Sequence, residues 1–166
     1  MLTFTYQTSR LSVVEVFRGT RETDILVSIT KLLTPKVVES LPQYFRNINS
    51  ISDAECWLKK MLPESRLFVV RHTGNNMIIG FVFVFVESNT DAHVGYLLGE
   101  PYWGKGYATE LLKGLIDFIN NENKINLLIA GVATNNIVSS RLLNKLGFIK
   151  SDSENNEIVF YKYQLS

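Results

Sequence analysis

Two glycines and a lysine, Gly104-Lys105-Gly106, stand where an apolar run ends and a strongly periodic one begins. Backbone freed by the glycines can approach a ligand closely and aim several N–H groups at one point. A helix opening directly afterwards adds its own unpaired N–H groups and the positive end of its dipole. Together these form an anion seat without a metal cage, and Lys105 supplies a mobile positive charge, so the expected ligand carries phosphate. Other chemistry-bearing side chains are sparse. Cys56 is the single cysteine, lies beside Trp57 in a helical pattern and reads as a packed thiol rather than a nucleophile. His72 and His93 fall at predicted strand ends, and no metal-ligand spacing is present, so no metal is expected.

The elements that must position the loop are legible in the apolar pattern. Leu11 to Phe17 reads as a strand rich in β-branched residues. Ile25, Leu26, Ile29, Leu32 and Leu33 predict a helix over 20–33. Thr34-Pro35 predicts a cap and first residue for a short helix running toward Leu41, which Pro42 breaks. Ser52 with Glu55 predicts a capping box for a helix through Met61, closed by Pro63. Leu67 to His72 and Met77 to Glu87 predict two strands joined by the turn Thr73-Gly74-Asn75-Asn76. Phe81, Phe83 and Phe85 alternate with Val82, Val84 and Val86, so both faces are apolar and this strand belongs mid-sheet.

His93 to Leu98 is the strand that feeds the glycine loop. The helix beyond it carries Ala108, Leu111, Leu112, Leu115 and Ile119 on one face, with Glu110, Lys113 and Asp117 on the other. Ile125 to Val132 predicts a buried strand. Asn135 or Asn136 then caps a helix to Leu146, Gly147 suits its left-handed C′ position, and Phe148 supplies the apolar contact beyond. Ile158 to Tyr163 is the last strand. The pattern is α/β (α+β), with a mixed sheet in one domain covering residues 1–166.

The totals narrow the function classes. The chain of 166 residues is 46% hydrophobic and 20% charged, with a formal net charge of +1. That balance gives no electrostatic case for nucleic acid or an anionic membrane. The longest apolar run, Met77 to Val86, is too short to span a bilayer. No signal-peptide pattern opens the sequence, and the lone cysteine fits a reducing compartment, so a cytoplasmic protein is expected.

Three phosphate ligands compete for the loop. Gly99 to Lys105 fits the first seven positions of the P-loop, but the magnesium-binding Ser or Thr is replaced by Gly106, and no later strand ends in a suitable Asp. Gly104 to Thr109 partly matches the dinucleotide fingerprint, with Thr in place of the last glycine and hairpins rather than a βαβ unit upstream. The third is coenzyme A. Trp103-Gly104-Lys105-Gly106-Tyr107-Ala108 resembles the Gln/Arg-x-x-Gly-x-Gly/Ala loop of the GNAT superfamily of N-acetyltransferases, departing at its first position. The longer run Tyr102 to Glu110 is similar to the branch containing ribosomal-protein N-terminal acetyltransferases. Asn136 to Ser139 followed by Leu143 to Phe148 resembles that branch's N-x-x-S…KLGF, and Thr8 to Leu11 resembles the family's first strand.

The resemblance implies the GNAT fold, a mostly antiparallel twisted sheet flanked by helices on both faces, and transfer of an acetyl group from acetyl-CoA to a primary amine. It places pantetheine in a gap between the strands ending near Leu98 and starting near Ile125, on backbone bonds from Leu97 and Leu98. The pyrophosphate would rest on the segment Trp103, Gly104, Lys105, Gly106, Tyr107, Ala108 and Thr109. Asn136 would contact pantetheine or adenosine. Many family members use a tyrosine to protonate the thiolate; that position here is Leu143. In the ribosomal branch that the chain resembles, a serine one helical turn past the asparagine takes that role, which implies Ser139 as the acid. Glu100 is the first candidate base, Glu157 the second. The acceptor could be a protein N-terminus or a small amine, such as a polyamine, an amino acid or an aminoglycoside. A non-catalytic acyl-CoA-binding module is the alternative of another class. Dimerisation is common among relatives, and no surface in the sequence marks a pairing face.

Overall fold

The structure is a computed structural model describing residues 5–17, 23–152 and 157–166. Its frame is an eight-stranded sheet in the order β1-β2-β3-β4-β5-β6-β8-β7. The strands are β1 (Tyr6–Gln7), β2 (Leu11–Val16), β3 (Arg66–His72), β4 (Ile78–Val86), β5 (Asp91–Leu98), β6 (Leu127–Ala133), β7 (Ile149–Lys150) and β8 (Ile158–Gln164). All neighbours run antiparallel except β5 and β6. The Phe/Val strand β4 is fourth of eight and buried on both faces, as its lack of a polar side requires.

Among the described residues, five α-helices cover the two faces. On one side α1 (Thr23–Leu32), α2 (Pro35–Val38) and α3 (Ile51–Glu64) pack Ile25, Ile29, Val37, Trp57 and Met61 against Val69, Phe81, Phe83 and Leu97. On the other, α4 (Tyr107–Glu122) and α5 (Ile137–Lys145) close a second core. There Leu111, Leu112, Leu115 and Ile119 are at most 2% exposed, each burial contributing about 1.5–3 kcal/mol. The sheet thus separates two apolar layers, one per face.

Several expectations shift in detail. Of the helix predicted over 20–33, the part before Thr23 lies outside the described residues. Thr34 does cap α2, accepting from the Val37 N–H, but the helix stops at Val38 rather than running to Leu41. The capping box of α3 is Ser50 with Asp53, not Ser52 with Glu55. Both pairs have the right spacing. The earlier frame prevails because the Asp53 carboxylate accepts from the Asn49 and Ser50 N–H groups while Ser50 Oγ accepts from Asp53. Pro63 lies inside the last turn of α3. Thr8 to Arg10 form the turn between β1 and β2 rather than a strand, which begins at Leu11. The two-residue strands β1 and β7 are too short to give a sequence pattern.

Candidate active site

The sheet opens at one place. β5 and β6 pair only at Asp91–Leu127, Ala92–Leu128 and His93–Ile129. Beyond His93, β5 continues to Leu98 on β4 alone, and β6 continues to Ala133 on β8 alone. A wedge between two parallel strands therefore exposes a stretch of unpaired backbone edge, which an extended ligand can join as a strand would. Of the two leucines expected to line it, Leu98 faces this opening. Leu97 does not, because its carbonyl oxygen lies against Gly80 on β4. The Leu98 carbonyl accepts a 2.8 Å hydrogen bond from the Trp103 indole N–H.

The wedge ends on the glycine loop. After a 3-10 turn at Glu100–Tyr102, Gly104 and Gly106 take φ of 70° and 82°, and Gly106 is the N-cap of α4. Those left-handed angles fold the chain back so that α4 starts with no side-chain cap. Its first N–H groups, from Tyr107, Ala108 and Thr109, are left without helical partners. A Cβ built on Gly104 meets nothing within 4 Å, so the loop faces open space. Trp103, Gly104, Lys105 and Gly106 are all exposed. A helix start of this kind is suited to seating an anion.

A cluster absent from the sequence expectations holds the loop in place. Arg10 donates from Nε to Glu110 at 2.7 Å, from its backbone N–H to the same carboxylate at 2.7 Å, and from a terminal nitrogen to the Lys105 carbonyl at 3.0 Å. Its guanidinium also lies 4.2 Å from the centre of the Tyr107 ring. Thr8 Oγ1 donates to Glu110 as well. The β1–β2 turn is thereby strapped across the first turn of α4 and holds the Lys105 carbonyl. Burial alone would push the Glu110 carboxyl up; the bonds from Thr8 and Arg10, with the Arg10 charge, outweigh it and hold the carboxyl below its usual range. Glu110, expected on the solvent face of α4, is instead its anchor.

The far arm of the wedge carries α5. Asn136, not Asn135, is its N-cap, and Oδ1 accepts from the Ser139 N–H at 3.2 Å, leaving the amide N–H groups of Asn136 for other partners. Gly147 has φ of 100° and Phe148 donates back to the Leu143 carbonyl, the expected C-terminal motif. Leu143 is 1% exposed, a core residue facing away from solvent. Ser139 Oγ lies 3.1 Å from the Tyr96 hydroxyl, so the arms of the opening are bridged by one hydrogen bond.

Glu100 begins the 3-10 turn that follows β5 and Gly99. Its carboxylate is exposed and holds the Lys36 ammonium at 3.0 Å, at the rim of a cleft of about 890 Å³ on the α1 side of the sheet. Asp24, Ser28, Lys31, Arg71 and Tyr102 line the same cleft. Glu157 is exposed at the start of β8, its backbone carbonyl accepting from Thr134. Among the described residues no group of three or more His, Cys, Asp or Glu is placed to hold a metal ion, and no helix is long and apolar enough to cross a membrane.

An opened parallel pair, a glycine loop at a helix N-terminus and a second helix closing the far arm together make a specific constellation. Residues 16–149 match the model of the acetyltransferase (GNAT) domain. The chain belongs to the GNAT acetyltransferase family. Among curated proteins it is 41% identical over 64 residues to the uncharacterized N-acetyltransferase p20 of Bacillus licheniformis, covering 39% of this chain and 36% of that one. It is 30% identical over 108 residues to the prophage-derived uncharacterized N-acetyltransferase YokL of Bacillus subtilis, covering 64% and 60%. The matched segments thus span less than two thirds of either relative. Among solved structures, the ribosomal L7/L12 alpha-N-protein acetyltransferase RimL in complex with coenzyme A superposes with a TM-score of 0.80 at 13% identity, over 98% of both chains. That likeness establishes a shared GNAT fold.

Proposed function

We propose that this GNAT chain transfers the acetyl group of acetyl-CoA to a primary amine, with the α-amino group of a protein N-terminus as the favoured acceptor. The carrying observation is that the β5–β6 opening leads straight onto the glycine loop. An extended pantetheine arm and a pyrophosphate need that succession. Each half alone is too weak: a helix N-terminus contributes about 0.3–1 kcal/mol toward a charge, whereas micromolar affinity needs about 8 kcal/mol.

In this reading the backbone of Tyr96 and Leu98 takes the pantetheine amides, and N–H groups from Trp103 to Thr109 take the phosphates with Lys105 alongside. The Trp103 indole, now on the Leu98 carbonyl, gives way where the cofactor claims that oxygen. The amide of Asn136 completes the far side, and backbone N–H near Leu98 stabilises the developing oxyanion. Bound acetyl-CoA supplies the thioester carbonyl as electrophile. Ser139 protonates the departing sulfur. Glu100 sits on the rim of a cleft within the usual volume range for ligand sites and is the first candidate to take the amine proton, with Glu157 or water as the other routes. At pH 7 an α-amino group costs about 1.4 kcal/mol to deprotonate and a lysine about 4.6, so a weak base suffices for an N-terminus. The RimL likeness points the same way. Small amines compete as acceptors, because the cleft carries both Asp24 and Lys31.

Thermal melting with acetyl-CoA, ATP–magnesium and NAD in parallel tests the cofactor. A ligand at a hundred times its Kd adds about 2.7 kcal/mol, several degrees of melting temperature for a chain of this size. Acetyl-CoA alone is expected to produce that shift. A shift with ATP–magnesium alone would make the segment Gly99 to Lys105 a degenerate P-loop and overturn the proposal.

A further inference from the structure

Tyr96 lies on the stretch of β5 that β6 no longer pairs, and Ser139 lies in the first turn of the helix that follows β6. Their hydroxyls meet at 3.1 Å across the opening. The ring packs against the α4–α5 core, so the phenol reaches the site from within the protein while Ser139 stands partly open.

We propose that Tyr96 is a positioning residue that makes Ser139 a competent proton donor, through the hydrogen bond joining the two arms of the opening. The inference rests on the reading of Ser139 as the acid. Either hydroxyl can donate at this distance, and the greater acidity of a phenol favours the arrangement in which its O–H donates to Ser139 Oγ. With that oxygen accepting, the serine hydrogen is left to point into the gap. A serine acting alone would have to become an alkoxide to protonate a thiolate, a poor exchange because a thiol is much the stronger acid. A phenol lies much closer to a thiol in acidity than an alcohol does, so passing the charge on to Tyr96 makes the exchange far less unfavourable.

The proton count closes. The amine nitrogen forms the new C–N bond, the C–S bond breaks, and the electron pair leaves on sulfur. Sulfur takes the Ser139 proton as the phenolic proton of Tyr96 moves onto Ser139 Oγ. The phenol is restored through solvent by the proton that the amine gives up. Burial pushes the Tyr96 hydroxyl up, the Ser139 bond opposing this only in part, so the proton is present at neutral pH.

The test compares Tyr96→Phe, Ser139→Ala and the double variant by kcat, the KM for acetyl-CoA and melting temperature. Tyr96→Phe is expected to lower kcat about tenfold to a hundredfold with KM and melting little changed, and the double variant to be no slower than Ser139→Ala. A slow Ser139→Ala beside a Tyr96→Phe of full kcat overturns the role of Tyr96 and leaves the Ser139 reading standing. Full kcat in Ser139→Ala overturns that reading, and the Tyr96 role with it. Losses that multiply in the double variant also overturn the coupling. If Tyr96→Phe melts early, a fluorinated tyrosine at position 96 keeps the ring and the bond. Its more acidic phenol is then expected to move the alkaline limb of kcat to lower pH, and an unmoved limb counts against the proposal.

Discussion

Glu110→Ala is expected to cost about 1–3 kcal/mol of stability and to weaken acetyl-CoA binding about tenfold. The substitution strips the shared acceptor from Thr8, from the Arg10 backbone and from the Arg10 side chain at once. Arg10 then loses the fixed position from which it holds the Lys105 carbonyl and covers Tyr107. Arg10 is 40% exposed and Glu110 18%, so the figure is taken well below that of a fully buried pair. The same cluster sets a pH dependence. Its carboxyl is held below the unfolded value of about 4.3, so the stabilisation is complete above that value and is lost as pH falls through the lower, folded one. Melting curves taken from neutral to acid pH should show this loss in the parent chain. Glu110→Gln should show less of it. Equal acid sensitivity in the two would remove Glu110 from the account.

Gly80→Ala is expected to be worse than Gly104→Ala, reversing what backbone angles alone suggest. Gly104 has a positive φ but open space around it, so alanine there costs about 1–2 kcal/mol of conformational strain. Gly80 has no unusual φ, yet its Cβ would lie 2.2 Å from the Leu97 carbonyl oxygen and 2.8 Å from Leu98 Cδ2. A backbone oxygen cannot swing aside as a side chain can. The β4–β5 pair must part where β5 ends on the opening, at an overpacking cost of about 1–3 kcal/mol plus a displaced Leu98 edge. The register beside it is already irregular between Val70 and Arg71. Melting and acetyl-CoA titration of both variants measure the contrast. Gly104→Ala should lose affinity with modest destabilisation, and Gly80→Ala should lose both.

What the sequence shows and what it hides follow from how local each signal is. The glycine loop, the Asn136 cap and Gly147 were legible because a φ above zero or an uncapped N–H is satisfied by residues within a few positions. The central place of β4 was legible because its two faces are both apolar. The strap was not: Arg10 and Glu110 are 100 positions apart, and helical periodicity assigns Glu110 to the outer face. Only tertiary packing turns that face toward the β1–β2 turn. Tyr96 was likewise hidden, since strand alternation describes an aromatic ring and says nothing of where its hydroxyl ends, 43 positions from Ser139. Leu97 and Leu98 show the limit within one strand. The run is evident, but which of two adjacent residues faces the opening depends on register with β4 and β6.

The central claim is that the opening delivers an acetyl thioester to an amine. The most direct measurement incubates the chain with acetyl-CoA and a panel of peptide N-termini, polyamines, amino acids and aminoglycosides, following free coenzyme A and acetylated amine together. The account predicts amine-dependent release of thiol matched one for one by acetylated product, with peptide α-amines among the best acceptors. Acetyl-CoA that binds and stabilises the chain yet is never turned over by any amine would contradict it, and would leave an acyl-CoA-binding module in its place.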